Sequence, residues 1–174
     1  MSDNYNAIMD AAEKRIRIGG FNGFSFRDIA ADVGIKSSSV HYHFPTKEDL
    51  AAAVVRRYTE EVSILIDERM ARESNPKKVW TVAFRGTLSS IDKMCPCAVL
   101  GASALDLPPV VVEAVKGFFK MCQMKMISQG LSHKDASELL ATLMGAMVVA
   151  NAMGDVKAYD EATVDLFKRE ATAA

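Results

Sequence analysis

Residues 25–47 read SFRDIAADVGIKSSSVHYHFPTK, and this stretch decides the fold of the first part of the chain. Ser25 stands three residues before Asp28, a capping-box pattern in which each side chain binds a free amide at the start of a helix. Gly34 stands where that helix would end in a left-handed residue. The three serines at 37–39 are then available to cap a second short helix. The pattern predicts a helix, a four-residue turn and another helix.

The second of these helices has two different faces. Val40 and Phe44, four residues apart, are predicted to face inward and to fix the angle at which the helix packs. In a helix-turn-helix the second helix lies in the major groove, where short side chains let the backbone approach and longer planar ones reach base edges and phosphates. The serines and the rings of 41–43 have that distribution. The alternative is that the serines only cap the helix and the rings only pack.

The rest of the chain reads as helical. Thr46 and Asp49 repeat the capping pattern and open a long helix that runs towards Pro76. Apolar residues recur at helical spacing in five further segments, and no alternating strand pattern or repeat is present. We therefore predict an all-α chain of about nine helices, with a DNA-binding part at residues 1–46 and a second helical part at residues 47–174. The helix that opens at Thr46 is expected to belong to both parts.

Composition limits the class of protein. Of 174 residues, 49% are hydrophobic and 25% charged, and the formal net charge is -1, so DNA binding has to rest on a local surface. Neither a secretory signal nor an apolar run of membrane-spanning length is expected, and an odd number of cysteines, three, fits a reducing compartment. These features predict a cytoplasmic protein without a membrane segment.

Catalysis is not expected from the motifs in this sequence. The metalloprotease, hydrolase and phosphate-loop patterns HExxH, GxSxG and GxxxxGK are not found in it. His41 and His43 are two residues apart, so on a helix they diverge and do not share a metal ion. No cofactor or metal site is predicted.

Residues 20–50, GFNGFSFRDIAADVGIKSSSVHYHFPTKEDL, resemble the DNA-binding domain of the TetR/AcrR family of bacterial transcriptional regulators. The resemblance runs from Ile8 to Leu50. Where the family usually has tyrosine, this chain has His41. Lys36 is an unusual basic residue at its position, and we expect it to add a phosphate contact. The positions that the resemblance implies to face DNA are Arg27, Lys36, Ser37, Ser38, Ser39, His41, Tyr42, His43 and Lys47.

The resemblance implies a homodimer that reads a palindromic double-stranded operator and acts as a repressor released by a small effector. It also implies that residues 47–174 form the part that binds the effector and dimerises. The dimer interface is predicted on the last two helices. Its residues are Leu139, Leu143, Met147, Ala150, Val164 and Phe167. The alternative for this apolar stripe is that it belongs to the core of a single chain, because periodicity does not separate a core from an interface.

The effector is expected to contact apolar and sulfur-containing side chains of the middle helices. These are Trp80, Phe84, Cys95, Cys97, Phe118, Met121 and Cys122. The Cys95-Pro96-Cys97 segment allows three interpretations: buried structural thiols, thiols that react with an oxidant or electrophile, and a soft-metal site. A thiol-based sensor and a helical protein-interaction module are therefore the alternative functions.

Overall fold

The computed structural model of the chain describes residues 3–88 and 94–167. Over those two ranges the secondary structure is entirely helical, which confirms the predicted all-α class. The nine helices are α1 (Asp3–Gly19), α2 (Phe26–Val33), α3 (Ser37–His43), α4 (Lys47–Met70), α5 (Pro76–Thr87), α6 (Pro96–Ala102), α7 (Pro109–Ser128), α8 (His133–Met153) and α9 (Lys157–Thr163), and 3-10 turns lie at Phe21–Gly23 and Ala104–Asp106.

The chain packs into two compact units. One contains the described part of Met1–Thr59 together with Cys95–Phe118, and the other contains the described part of Glu60–Met94 and of Phe119–Ala174. Helices α4 and α7 each supply residues to both units, in agreement with a chain that has no flexible linker. The predicted boundary between residues 46 and 47 separates two predicted functions and does not coincide with the bounds of the compact units. It stays a prediction.

In the first unit, α1 packs against α2, α2 against α3, and α6 against α1. The core side chains Ile8, Ile16 and Ile29 are fully buried, and burial of a side chain of this size contributes about 1.5–3 kcal/mol. One ion pair adds a link between helices: Arg15 Nη2 donates to Asp32 Oδ1 at 2.9 Å, which joins α1 to α2. These contacts hold the short helices in place.

In the second unit, α5 and α9 both pack against α8. The buried Tyr159 hydroxyl donates to the carbonyl of Thr81 at 2.9 Å, and its burial raises the pKa of Tyr159 far above the usual value. Arg85 Nη2 donates to Asp160 Oδ2 at 2.8 Å. These two contacts attach the short helix α9 to α5.

The predicted capping box at the start of α2 is confirmed. The Ser25 amide donates to Asp28 Oδ2 at 2.8 Å, and the Asp28 amide donates to Ser25 Oγ at 3.3 Å. Gly34 has φ 75°, as a left-handed helix end requires. At the start of α4 the Asp49 amide donates to Thr46 Oγ1 at 3.1 Å, so the second capping prediction is also confirmed.

The prediction that residues 37–39 cap α3 is wrong. Lys36 is the N-cap, with an extended backbone at φ -78° and ψ 144°, and no side chain caps the helix. The Lys36 carbonyl accepts from the Ser39 amide at 2.9 Å. The helix therefore starts one residue earlier than a serine cap would allow, and the three serines form its first turn.

The prediction that no apolar run reaches membrane-spanning length is also wrong. Helix α8 has the length and composition of a membrane span, with a mean hydropathy of 1.4 over its most apolar window, of which 39% is buried. Core helices of globular proteins meet the same two conditions. Helix α8 packs against α5 and α9, as a core helix of the second unit does.

Candidate nucleic-acid interface

The face of α3 that packs inward is the predicted one. Val40 is fully buried and Phe44 is 5% exposed, whereas Tyr42, between them in sequence, is 85% exposed. A large aromatic side chain exposed to this extent is unusual on the surface of a compact unit. The backbone turn at Gly34 and the two buried anchors thus present the rest of α3 to the outside.

Several polar side chains on and beside α3 have no hydrogen-bond or ion-pair partner among the described residues. Ser38 and His41 are exposed, and the hydroxyls of residues 37–39 make no hydrogen bond within the described residues. Arg27 and Lys36 are also exposed and form no ion pair with any residue that the structure describes. Donors and cations that the chain leaves uncommitted are the groups that bind phosphate oxygens and base edges.

Aromatic contacts fix the rings on this face. The His41 ring packs edge-on against Phe26, with 4.6 Å between centroids. His43 lies edge-on to Tyr5, at 5.9 Å, and Tyr5 stacks on Phe44 at 5.1 Å. These pairs restrict the rings before any ligand is bound, which lowers the entropy cost of binding.

Tyr5 and Asn4 are residues of this surface that sequence reasoning missed. Together with Ser38, Ser39, Tyr42 and His43, Asn4 lines an open groove of about 400 Å³ on the outer face of α3. The helical spacing of α1 contained the signal for Tyr5, because this residue is three positions before the buried Ile8 and shares its side of the helix. The start of α1 therefore extends the surface that α3 presents.

Lys47 is less free than the other cations of this surface. Its ammonium nitrogen lies 4.5 Å from the ring centroid of Phe21 and 4.8 Å from that of Phe24. Burial lowers the pKa of Lys47, against the opposing effect of the Glu48 and Asp28 charges. The two rings hold the lysine stem by cation–π contact, so its charge has a fixed position.

Four of the residues predicted for the dimer interface face inward instead. Leu139 and Ala150 are each 3% exposed, and Leu143 and Met147 are fully buried in the core of their own chain. Helices α5 and α9 cover that side of α8, which fits the core alternative, and the assignment of these four residues to the dimer interface stays a prediction. Val164 is 41% exposed and Phe167 is partly exposed, and both stay predictions.

The opposite side of α8 carries a second apolar stripe, which is exposed. Val148 and Val149 are about half exposed and Met153 is 67% exposed. The exposed small residues Ala141, Gly145 and Ala152 follow the same helical spacing. Small side chains of this type permit two helices to approach closely.

The residues predicted to contact an effector are nearly all core residues. Trp80, Phe118 and Cys122 are fully buried, and Phe84 is 4% exposed. Trp80, Phe84, Met121 and Cys122 lie in the second unit, whereas Cys95, Cys97 and Phe118 lie in the first. Three open grooves on the surface of the structure are lined by other residues. The role of the predicted residues in effector binding stays a prediction.

The thiols of the Cys-Pro-Cys segment are reduced and fully buried. Burial raises the pKa of the Cys95 thiol, but hydrogen bonds donated by the Cys97 thiol, the Ala98 amide and the Tyr58 hydroxyl outweigh it, and the net pKa is lowered. The Arg17 guanidinium carbon lies 5.1 Å from the centroid of the Tyr58 ring. Cys95 thus sits in a small site that stabilises a thiolate.

This thiol site is continuous with a charged network on α1. Arg17 Nη2 pairs with Glu13 Oε1 at 2.7 Å. Arg57 of α4 pairs with Glu13 Oε2 at 2.8 Å and with Asp10 Oδ1 at 2.6 Å. The side chains of Arg17 and Glu13 are each only 14% exposed. Tyr58 and Arg17 therefore connect Cys95 to the first helix of the unit that carries α3.

Comparison with known proteins identifies this architecture. The family model of bacterial regulatory proteins of the TetR family matches residues 8–54. A TetR-family transcriptional regulator from Agrobacterium tumefaciens, of known crystal structure, is 30% identical, with 95% of this chain and 96% of that chain covered and a TM-score of 0.85. This chain belongs to the TetR family. Among curated proteins, none matches its sequence.

Other solved TetR structures have the same fold. A TetR transcriptional regulator from Legionella pneumophila is 26% identical, with 97% of each chain covered and a TM-score of 0.85. The reduced form of NemR from Escherichia coli is 18% identical, with 99% of this chain and all of that chain covered and a TM-score of 0.84. The likeness to NemR is one of fold alone.

Membership of the TetR family places the surface around α3 in a DNA-binding domain. The N-terminal helices of this chain are the helix-turn-helix of a DNA-binding transcriptional regulator. The family is regulatory rather than enzymatic. The uncommitted donors of α3 and the exposed Tyr42 lie on the second helix of that motif, which is the helix that enters the major groove.

Proposed function

We propose that this TetR-family chain is a cytoplasmic repressor that binds a palindromic operator as a homodimer and is released by a small effector. The observation that carries the proposal is the outer face of α3, where Tyr42 is 85% exposed. A single short helix buries too little surface for specific binding, so two copies related by a two-fold axis are required. Each copy reads one half-site.

The exposed stripe of α8 supports the dimer. Val148, Val149 and Met153 form an apolar face of a kind that marks a contact between chains. Replacing Val149 by Asp is expected to convert a dimer into a monomer in sedimentation experiments, because it places a charge in an apolar contact. Ile64→Asp is a matched control, since Ile64 is 59% exposed on α4. Equal effects of both variants would exclude this stripe as the interface.

The effector is proposed to bind in the C-terminal part of the chain, near Trp80, Phe84 and Met121. Effector binding would favour a conformation with weaker DNA affinity. The resulting change in the populations of the two conformations is limited by the difference between the effector's affinities for them. The aromatic and methionine side chains predict an apolar compound. No cofactor takes part in this mechanism.

Selection of bound sequences from a random pool of DNA duplexes tests the proposal. A palindrome should be enriched, and its binding should weaken steeply with salt, because phosphate contacts release counterions. In the selected duplex, Tyr42→Ala and Lys47→Ala should each weaken binding without unfolding the protein. Unchanged affinity in both variants would contradict the assignment of this face. A salt-independent interaction would favour the helical protein-interaction module instead.

The thiol site supports a second candidate function, a regulator that senses peroxide. In this step the Cys95 thiolate attacks one oxygen of hydrogen peroxide, the O–O bond breaks, a sulfenic acid forms and hydroxide leaves. The new group would disturb the contact of Cys95 with Tyr58 and, through it, Arg17. The full burial of Cys95 admits only a small oxidant.

A dimedone label tests this candidate. After peroxide treatment, unfolding the protein in the presence of dimedone should label Cys95, because unfolding exposes the buried sulfenic acid. Peroxide should also reduce operator affinity, and Cys95→Ser should lose both responses. Cys122→Ser is the matched control, because Cys122 is equally buried and lies in the other unit. Labelling of Cys122 in preference to Cys95 would contradict the role given to the Tyr58 site.

A further inference from the structure

The second unit contains a groove that neither the operator nor the proposed effector uses. The last turns of α4 and the first turns of α5 line it, and its volume is about 430 Å³. A volume of this size matches small-molecule sites in proteins. Its lining combines apolar side chains with an unusual arginine, Arg69.

Arg69 is a guanidinium for which no described residue supplies an acceptor. Its Nε atom is buried from solvent without a hydrogen-bond partner, and Arg69 makes no ion pair within residues 3–88 and 94–167. Arg57 shows the usual arrangement on the same helix: its Nε also lacks a partner, but its terminal nitrogens pair with Asp10 and Glu13. A buried N–H without an acceptor is destabilising. The terminal nitrogens of Arg69 also have no partner among the described residues, and unlike Nε they are not shielded from solvent, so they are the donors available to an acceptor from outside the chain.

The other charges of the groove do not neutralise Arg69. Glu73 is engaged, because its Oε2 lies 2.6 Å from Lys78 Nζ. Arg72, a second lining guanidinium, forms no ion pair in the described structure. Glu68 is the one remaining lining carboxylate, and within the described residues it forms no ion pair with Arg69. The groove keeps an excess of positive charge.

The remaining lining is apolar. Val79 is 3% exposed, whereas Leu65 and Val82 are 36% and 43% exposed. An inorganic anion would leave these side chains in water. An anion with an aliphatic body would cover them and gain hydrophobic free energy.

We propose that this groove binds a small aliphatic monocarboxylate. The carboxylate accepts hydrogen bonds from the guanidinium of Arg69, whose planar fork matches its two oxygens. The aliphatic body lies on Leu65, Val79 and Val82. The site is independent of the operator and effector proposals, because none of its residues belongs to either surface.

Calorimetric titration of the full chain with octanoate tests the site, with neutral octanamide as the charge control. Octanoate should bind saturably and octanamide at least tenfold more weakly. Arg69→Gln should reduce the affinity for octanoate at least tenfold. Arg56→Gln is the matched control, because Arg56 is an exposed α4 arginine outside the groove, and it should change the affinity less than twofold. The single tryptophan, Trp80, follows Val79 and provides an independent fluorescence signal.

Three results would overturn the proposal. The first is octanoate affinity unchanged by Arg69→Gln, which would place the ligand elsewhere. The second is an equal loss of octanoate and octanamide binding, which would remove the role of charge. The third is a change in oligomeric state with Arg69→Gln and no octanoate binding, because the guanidinium would then serve a protein contact. If Arg69→Gln does not fold, Val82→Asp takes its place: the added carboxylate at an exposed position should weaken octanoate binding at least tenfold.

Discussion

Helices α3 and α6 are both seven residues long and lie in the same compact unit. They differ in where their functional side chains lie: those of α3 are on the outside, and those of α6 and its start are in the core. Only Val40 of α3 is buried, and its serines and tyrosine face outward. Helix α6 buries Pro96, Cys97 and Leu100, and Cys95 at its start is fully buried. The chemistry of α3 is available to a partner, whereas that of α6 is engaged within the chain.

This difference separates two kinds of polar group. On α3 the donors have no partner among the described residues, and under the proposed function they gain one only when DNA binds, so their loss should affect binding and leave folding unchanged. Around α6 the Cys95 and Tyr58 side chains are each other's partners, so their loss should affect folding first. Substitutions in the two regions should therefore have different signatures.

The largest effect is expected within α3 and its end. Phe44→Ala should lower the free energy of unfolding by about 3–5 kcal/mol, because it removes a buried ring. Tyr42→Ala should lower it by less than about 0.5 kcal/mol, while weakening operator binding by about 1–3 kcal/mol. Urea denaturation and a DNA-binding titration measure the two quantities. A large loss of stability in Tyr42→Ala would remove the contrast between the two helices.

The next effect concerns the thiol site. Cys95→Ala should lower the free energy of unfolding by about 1–3 kcal/mol, because it leaves the buried Tyr58 hydroxyl without its sulfur partner. Adding Tyr58→Phe should cost less in this background than in the wild type, since the hydroxyl is already unpaired. Denaturation of the four proteins in the cycle gives the coupling energy. Strict additivity would mean that the two side chains do not interact.

A smaller effect is expected at the turn that sets the angle of α3. Gly34 has φ 75° and no atom within 4 Å of an added Cβ, so Gly34→Ala should cost about 1–2 kcal/mol through backbone strain alone. Gly86→Ala is the control, because Gly86 lies within α5 with equally open space. That change should stabilise the protein by about 0.5–1 kcal/mol. Thermal unfolding distinguishes the two, and a stabilising Gly34→Ala would contradict the left-handed turn.

The smallest effect is the pH dependence of the α2 cap. Hydrogen bonds from the Ser25 hydroxyl and amide lower the pKa of Asp28. Because the folded pKa lies below the unfolded one, the stabilisation is complete above the unfolded value of about 3.9 and is lost as the pH falls through the folded value. The free energy of unfolding should thus fall more steeply below pH 4 in the wild type than in Asp28→Asn. Parallel pH profiles would show that the cap does not titrate.

Sequence reasoning succeeded where the signal is local. Ser25 with Asp28, Thr46 with Asp49 and Gly34 act over one helical turn, so their spacing was enough to place the helix ends. The inward direction of Val40 and Phe44 follows from their spacing of four residues. Only the serines of α3 were placed wrongly, because Lys36 and the serines compete for the same cap position.

Sequence reasoning failed where two apolar surfaces share one helix. Helix α8 has a buried side with Leu143 and Met147 and an exposed side with Val148 and Val149, and both have helical spacing. Periodicity shows that each side is apolar but not which one its own chain covers. The same limit applies to the cysteines, because the sequence around them does not show whether a thiol is buried or accessible.

The sequence by itself determined the helices, the caps of α2 and α4 and the residue types on the outer face of α3, because these depend on interactions within a few residues along the chain. The tertiary structure alone decided that Tyr5 joins that surface, that aromatic rings hold Lys47, that Cys95 meets Tyr58 and Arg17, and that Arg69 has no partner among the described residues. Each of these depends on residues that are distant in sequence and are brought together by the packing of whole helices.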